Sequence, residues 1–165
     1  MENPHSRSWL WLSALVVLLD QVTKLLAELY LEPYPPLELL PFFDLRLAYN
    51  TGAAFSFLAD AGGWQRLFFI VLTTVVLVVL LRWLWRLPAT QKVVAIGLSL
   101  VIGGAIGNLI DRIATGAVVD FLDFHYAGWH WPAFNIADSA IVVGVALLLV
   151  DSFFFSGRSS PGDKP

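Results

Sequence analysis

Residues 67–81, LFFIVLTTVVLVVLL, carry no charge and are followed at once by Arg82, Trp83, Leu84 and Trp85. A helix crossing the hydrocarbon layer of a bilayer needs about 20 mostly apolar residues, and this run with its flanks supplies them. Two more stretches downstream read the same way: Val93 to Ile110 has no charge, and Pro132 to Val150 has only Asp138. The whole composition agrees, because 58% of the 165 residues are hydrophobic and only 14% are charged. Soluble domains hold roughly 45–50% apolar and about 25% charged residues, so a water-soluble shell could not be built from this chain. A net charge of -3 gives nucleic acid no basic footprint, and the absence of cysteine removes disulfides, thiolate metal sites and a cysteine nucleophile.

Upstream, a fourth apolar segment begins at Trp9-Leu10-Trp11-Leu12 and runs to Leu19 before it meets Asp20 and Lys24. A cleaved signal peptide is the rival reading, with His5 and Arg7 ahead of a short apolar region. Helical periodicity continues through Leu25, Leu26 and Leu29, and no small-x-small cleavage site follows Leu19, so a retained span is expected. The resulting fold class is mostly α and integral to the membrane, with four transmembrane helices at about 9–30, 65–85, 93–113 and 133–155. One membrane-embedded domain is expected over 1–155, followed by a disordered polar tail at 156–165.

Lys and Arg near span ends favour the cytoplasm. Arg7, Arg82, Arg86, Lys92, Arg158 and Lys164 fall on one side, while Lys24, Arg46, Arg66 and Arg112 lie within or beyond the opposite ends together with most of the acids, among them Asp44, Asp60, Asp111, Asp120 and Asp123. Both termini are therefore expected in the cytoplasm, and the two long outer segments, about 32–65 and 115–131, are where function is expected. In the first, Asp44 to Asn50 alternates with the period of a half-buried strand, Asn50-Thr51-Gly52 reads as a turn, and Pro33, Pro35, Pro36 and Pro41 oppose a helix. Phe42, Phe43, Phe55, Phe57 and Trp64 could rest on the bilayer surface. Val118 to Phe124 alternates likewise and could pair with the first segment. The reading is a small extracytoplasmic sheet or cradle at the interface, with Tyr126, Trp129, His130 and Trp131 in an aromatic belt.

The chemistry must come from the few polar residues the bilayer makes costly. Asp20, Lys24 and Glu28 lie on successive turns of one helix face, as an ion pair requires. Gly104, Asn108 and Arg112 recur at four-residue spacing, and Gly103 with Gly107 forms a small-xxx-small pair that lets helices touch. Asn135 and Asp138 are three apart at the head of the last span. A carboxylate there calls for a partner, and Asp120 or Asp123 could provide it. Two close carboxyl groups share a proton, so one can activate water while the other donates to a substrate carbonyl. Alternation does not choose between Asp120 and Asp123. A zinc site at His125 and His130 is a weaker reading, and no phosphate loop follows a strand.

The ordered set Asp20 with Lys24, Asn50-Thr51-Gly52-Ala53-Ala54-Phe55, Gly104 to Arg112, Val118-Val119-Asp120-Phe121 and Phe134 to Ser139 closely resembles lipoprotein signal peptidase, the bacterial type II enzyme. The resemblance covers about 9–155. It implies an aspartyl endopeptidase that removes signal peptides from diacylglyceryl-modified prolipoproteins, cutting just before the lipidated cysteine, with Asp120 and Asp138 as the catalytic pair. Asn50, Gly52, Asn108, Arg112, Asn135, Asp20 and Lys24 would bind substrate or support the pair, with no metal and no cofactor. Asp123 is left without a role. The implied partners are the lipid-modified substrate and membrane lipids, and the implied setting is a monomer in the bacterial cytoplasmic membrane with its active site at the outer leaflet. A small ion- or proton-coupled transporter is the alternative. It predicts a polar stripe through the whole membrane, whereas these polar residues crowd towards the outer span ends.

Overall fold

The computed structural model describes residues 8–32, 34–52 and 64–154. The expected contributions of Phe55 and Phe57, the 156–165 tail and the basic residues before Ser8 lie outside them. Four long apolar helices run through the described chain: α1 (Leu10–Leu31), α2 (Trp64–Arg86), α3 (Lys92–Ala114) and α4 (Ile136–Phe154). All four are long and apolar enough to cross a membrane. Strands β1 (Leu37–Leu40) and β2 (Phe43–Asn50) fill the first connection, and β3 (Val118–Tyr126) with β4 (Trp129–His130) fill the third. They form one antiparallel sheet in the order β1-β2-β3-β4. The pairing of β2 with β3 matches the alternation read in both segments; β1 was hidden among prolines.

Burial separates the helices. In its most apolar stretch α3 is 67% buried, against 11% for α2 and for α4, so α3 is the axis on which the others pack and their outward faces meet lipid. Small residues on α3 make this possible. A side chain at Gly103 would strike Ser13 and Val16 of α1, and one at Gly104 would strike the Ala137 carbonyl of α4. Gly97 and Gly144 likewise bring α3 and α4 together, each facing the other's backbone oxygen. Between lipid-bathed helices such close contact supplies dispersion that apolar burial from water cannot. Gly104→Ala is therefore expected to destabilise the fold by about 1–3 kcal/mol, since backbone on the facing helix cannot move aside. Thermal unfolding in detergent reads this out, and a variant as stable as the parent would show that the close approach is dispensable.

At the end of the bundle away from the sheet, Leu77, Leu84, Leu98 and Ile102 form an apolar core. At the sheet end, Arg66 of α2 caps α3, its Nε donating to the Arg112 carbonyl at 2.8 Å and its Nη2 to that of Ile113 at 2.6 Å. Last-turn carbonyls lack helical partners, and a guanidinium satisfies them while opposing the negative end of the helix dipole.

The fourth helix starts later than the expected 133. Phe134 is held by the sheet, exchanging hydrogen bonds with Leu122 at 2.9 and 3.1 Å, so residues 133–135 stay out of the helix. Asn135 then caps the helix, its Oδ1 accepting the Asp138 amide at 2.9 Å. An amide oxygen at this position satisfies one of the four orphan N–H groups. The next orphan, the Ala137 amide, donates to Asp20 Oδ1 at 2.9 Å.

Candidate active site

Where α1, α3, β3 and the start of α4 meet, polar side chains bury each other. Lys24 is the hub. Its Nζ lies 2.8 Å from Asp20 Oδ2, 2.7 Å from Asp111 Oδ2 and donates to Asn108 Oδ1 at 3.0 Å. All three of its partners are buried, and Lys24 itself is 3% exposed. Helical spacing explains Asp20 with Lys24, one turn apart with the acid first. Glu28 does not continue the ladder; it turns to the Tyr49 hydroxyl, whose single proton is shared between Glu28 at 3.4 Å and Glu32 at 3.3 Å.

From the hub a chain of amides leads to the two candidate carboxylates. Asn108 Nδ2 donates to Asp138 Oδ1 at 2.7 Å. Asn108 Oδ1 also accepts from Asn135 Nδ2 at 3.2 Å, and that same amide donates to Asp120 Oδ1 at 2.7 Å. On its other side Asp120 Oδ2 accepts from Asn50 Nδ2 at 3.0 Å. Two carboxyl groups are thus joined through two asparagines, and each asparagine is held in one orientation because its amide oxygen is occupied as well. Asn50 Oδ1 accepts the Gly52 amide at 2.9 Å, closing a tight turn. Gly52 has φ +91°, and a side chain there would collide with Phe69 of α2, so glycine meets both the backbone and the packing demand.

Burial is the main force on the Asp120 carboxyl and lifts its pKa from 3.8 to about 6. The Asn50 hydrogen bond opposes this, the negative charge of Asp138 adds to it, and the Asn135 hydrogen bond and Lys24 charge oppose it again. Desolvation disfavours the charged form, and a neighbouring carboxylate does the same.

The two candidates from β3 part company here. Asp120 joins the amide chain, while Asp123 pairs with His130 Nδ1 at 2.9 Å and lies 3.8 Å from Arg46. His125 lies 3.1 Å from Asp44, and its ring stacks on that of His130 with centroids 5.1 Å apart. Among the described residues no three His, Cys, Asp or Glu side chains gather as a metal cluster. The histidines instead clasp β2, β3 and β4 through separate carboxylates. Arg112 sits beside the centre, its Nη1 donating to the Asn108 carbonyl at 3.4 Å and its guanidinium 5.1 Å from the Phe69 ring centroid.

Two members of the network went unnoticed in the sequence. Asp111 takes Lys24 and also accepts the Val119 amide at 3.2 Å, tying the hub to the residue before Asp120. Gln21 bridges Asp111 Oδ1 at 2.9 Å and Asp20 Oδ2 at 3.2 Å. Asp111 continues the four-residue spacing of Gly103 and Gly107, which is the signal the sequence offers for it. Nothing in the sequence distinguishes Gln21.

Fold and site together define a multi-pass membrane protein whose buried ionisable residues converge where a four-helix bundle meets a small sheet. The family model described as signal peptidase (SPase) II matches residues 12–154. A lipoprotein signal peptidase of Coxiella burnetii is 53% identical over 157 residues, which cover 95% of this chain and 93% of that protein. One from Acinetobacter baumannii is 52% identical over 151 residues, 92% of this chain and 86% of its own length. A solved bacterial membrane enzyme superposes with a TM-score of 0.79 at 31% identity, covering 90% of this chain and 94% of its own. The chain belongs to the signal peptidase II family and is a membrane-embedded peptidase.

Proposed function

We propose that this protein is an aspartyl endopeptidase that removes signal peptides from diacylglyceryl-modified prolipoproteins, cleaving before the lipidated cysteine. The observation that carries the reading is the amide-bridged pair of Asp120 and Asp138. With one proton between them, the ionised carboxylate takes a proton from water as it attacks the scissile carbonyl, and the protonated one donates to the carbonyl oxygen. Collapse of the tetrahedral adduct then expels the amine of the lipidated cysteine with a proton returned from the pair. No covalent intermediate is required. Asn50, Asn108 and Asn135 fix the carboxylates, Gly52 shapes the turn that carries Asn50, and Asp20 and Lys24 brace the hub. Arg112 is poised to meet substrate backbone or lipid headgroup.

This reading places the protein as a monomer in the cytoplasmic membrane, surrounded by its lipids, with both termini cytoplasmic and one peptidase domain over 1–155. The sheet would lie on the outer leaflet, where a signal peptide helix ends and its acyl chains begin. The transporter alternative requires polar groups through the full thickness, but the far half of the bundle core clusters leucine, isoleucine, valine and alanine, where the hydroxyl of Ser13 is spent on the Ser99 carbonyl and no buried ionisable residue lies among those described. Purified protein should cut a diacylglyceryl prolipoprotein to a product beginning at the modified cysteine and leave the unlipidated precursor intact. Cutting elsewhere, or equal cutting of both precursors, overturns the assignment.

The pH profile offers a second check. The reaction needs a proton on the pair, and the Asp120 carboxyl is pushed up to about 6, so kcat/KM is expected to fall as pH rises above about 6. The Asn50 hydrogen bond lowers the Asp120 pKa, so Asn50→Leu should move that descending limb to higher pH. An unmoved limb in an active, folded variant would count against the role given to Asp120. The same shift acts on stability: the folded state holds this proton more tightly than the unfolded chain, so Asp120's contribution declines as pH rises from about 4 to about 6.

A further inference from the structure

We propose that the groove between α1 and the sheet, on the side of β3 turned away from Asp120, binds a membrane glycerophospholipid, with one acyl chain in the groove and the phosphodiester on Arg46. The groove holds a cavity of about 600 Å³ walled by Leu26, Ala27 and Tyr30 of α1 and by Leu45 and Phe121 of the sheet. That volume is within the range of small-molecule sites, about 300–1,000 Å³. A second cavity of about 210 Å³ shares Tyr34 and Leu45 with the first and extends it to Arg46.

The order of these walls is that of a phospholipid. The deep end starts at Thr23, eight residues before the end of α1, or about 12 Å down the helix at 1.5 Å per residue. Tyr30 and Tyr34 stand 71% and 69% exposed near the mouth, where amphipathic aromatic rings mark the membrane interface. Arg46 comes last, at the level of the sheet. Its side chain is 55% exposed and touches Asp123 only at 3.8 Å, while Asp123 is already engaged by His130 at 2.9 Å. A guanidinium has five N–H donors and binds phosphate oxygens in pairs, so the cation at the mouth complements a phosphodiester while the apolar trough complements its chain.

The groove is separate from the peptidase centre. Successive residues of a strand face opposite sides; Phe121 lines the groove, whereas Asp120 is held by Asn50 and Asn135 on the other side. None of the residues lining the groove is among the hydrogen-bond partners of Asp120 or Asp138. The proposal needs only a membrane-spanning chain and is independent of the reaction assigned above.

Native mass spectrometry of the full-length protein, released from micelles doped with dioleoylphosphatidylglycerol, tests it. One phospholipid should remain bound, and dioleoylglycerol, with the same chains but no phosphate, should be retained at least about fivefold less. Arg46→Glu should lower phospholipid retention by a similar factor, with Arg46→Gln as the milder variant should the charge reversal fail to fold. Leu26→Trp, which fills the groove from a residue 46% exposed, should abolish retention while thermal unfolding stays near the parent's. Retention of no lipid, equal retention by folded Arg46 variants, or displacement of the phospholipid by a lipidated precursor would overturn the assignment, the last by giving the groove to substrate.

Discussion

Asp120→Asn and Asp138→Asn are each expected to lower the rate of prolipoprotein cleavage by about 10³-fold or more while the protein stays folded. General acid–base groups contribute roughly 10²–10⁴-fold, and here each change disables a pair that works only with one proton and one charge. Folding should survive for physical reasons. An asparagine at 138 keeps an oxygen that can accept from Asn108, which now donates at 2.7 Å. An asparagine at 120 loses one acceptor, facing Asn50 or Asn135 with an N–H, but it also removes the cost of a charge in a residue 2% exposed. Initial rates with a lipidated precursor, beside thermal unfolding of each variant, supply the check. A folded variant of either residue with near-parental activity would refute the pair. Loss of parental activity to a chelator would instead direct attention to His125 and His130.

Lys24→Met is expected to be the most destabilising single change in the bundle, by about 3–5 kcal/mol, because it leaves buried carboxylates without their cation. Asp20 is fully buried and Asp111 is 7% exposed, and both meet the Lys24 ammonium within 2.8 Å. The loss should extend to activity, since Asn108 would lose the donor that sets its orientation towards Asp138. The triple variant Asp20→Asn, Lys24→Met, Asp111→Asn should recover much of the stability, as neutral side chains of similar size remove the stranded charges. Unfolding midpoints in detergent distinguish the cases. A single variant as stable as its parent would mean that water or another cation reaches the cluster.

The share of this site visible in the chain differed from residue to residue. Asp20 with Lys24, and Asn108 with Arg112, followed from helical spacing, since one turn places such residues on a shared face. Asn135 with Asp138 was visible as a pair, yet its form was not: the sheet holds Phe134 through Leu122, and this makes Asn135 the cap and delays the helix. Asp120 against Asp123 could not be decided by alternation alone, because a strand presents both faces and only its neighbours say which is which. The family resemblance pointed to Asp120, and the structure sets that residue among amides while giving Asp123 to His130. Gln21 and Asp111 show their place only once α1 and α3 meet, because the contacts that join them to the hub cross between those helices.

Hydropathy and segment length were enough to establish four spans, because lipid imposes its length and polarity on each segment independently, and alternation added the two strands that became β2 and β3. Convergence is a different kind of property. Lys24 meets Asp111 across 87 residues of chain, and Asn50 meets Asp120 across 70, only after glycines let α3 approach α1 and α4 and after β2 pairs with β3. The spans are local consequences of solvent, readable one window at a time. The site is a consequence of packing, which exists only when all the windows are brought together.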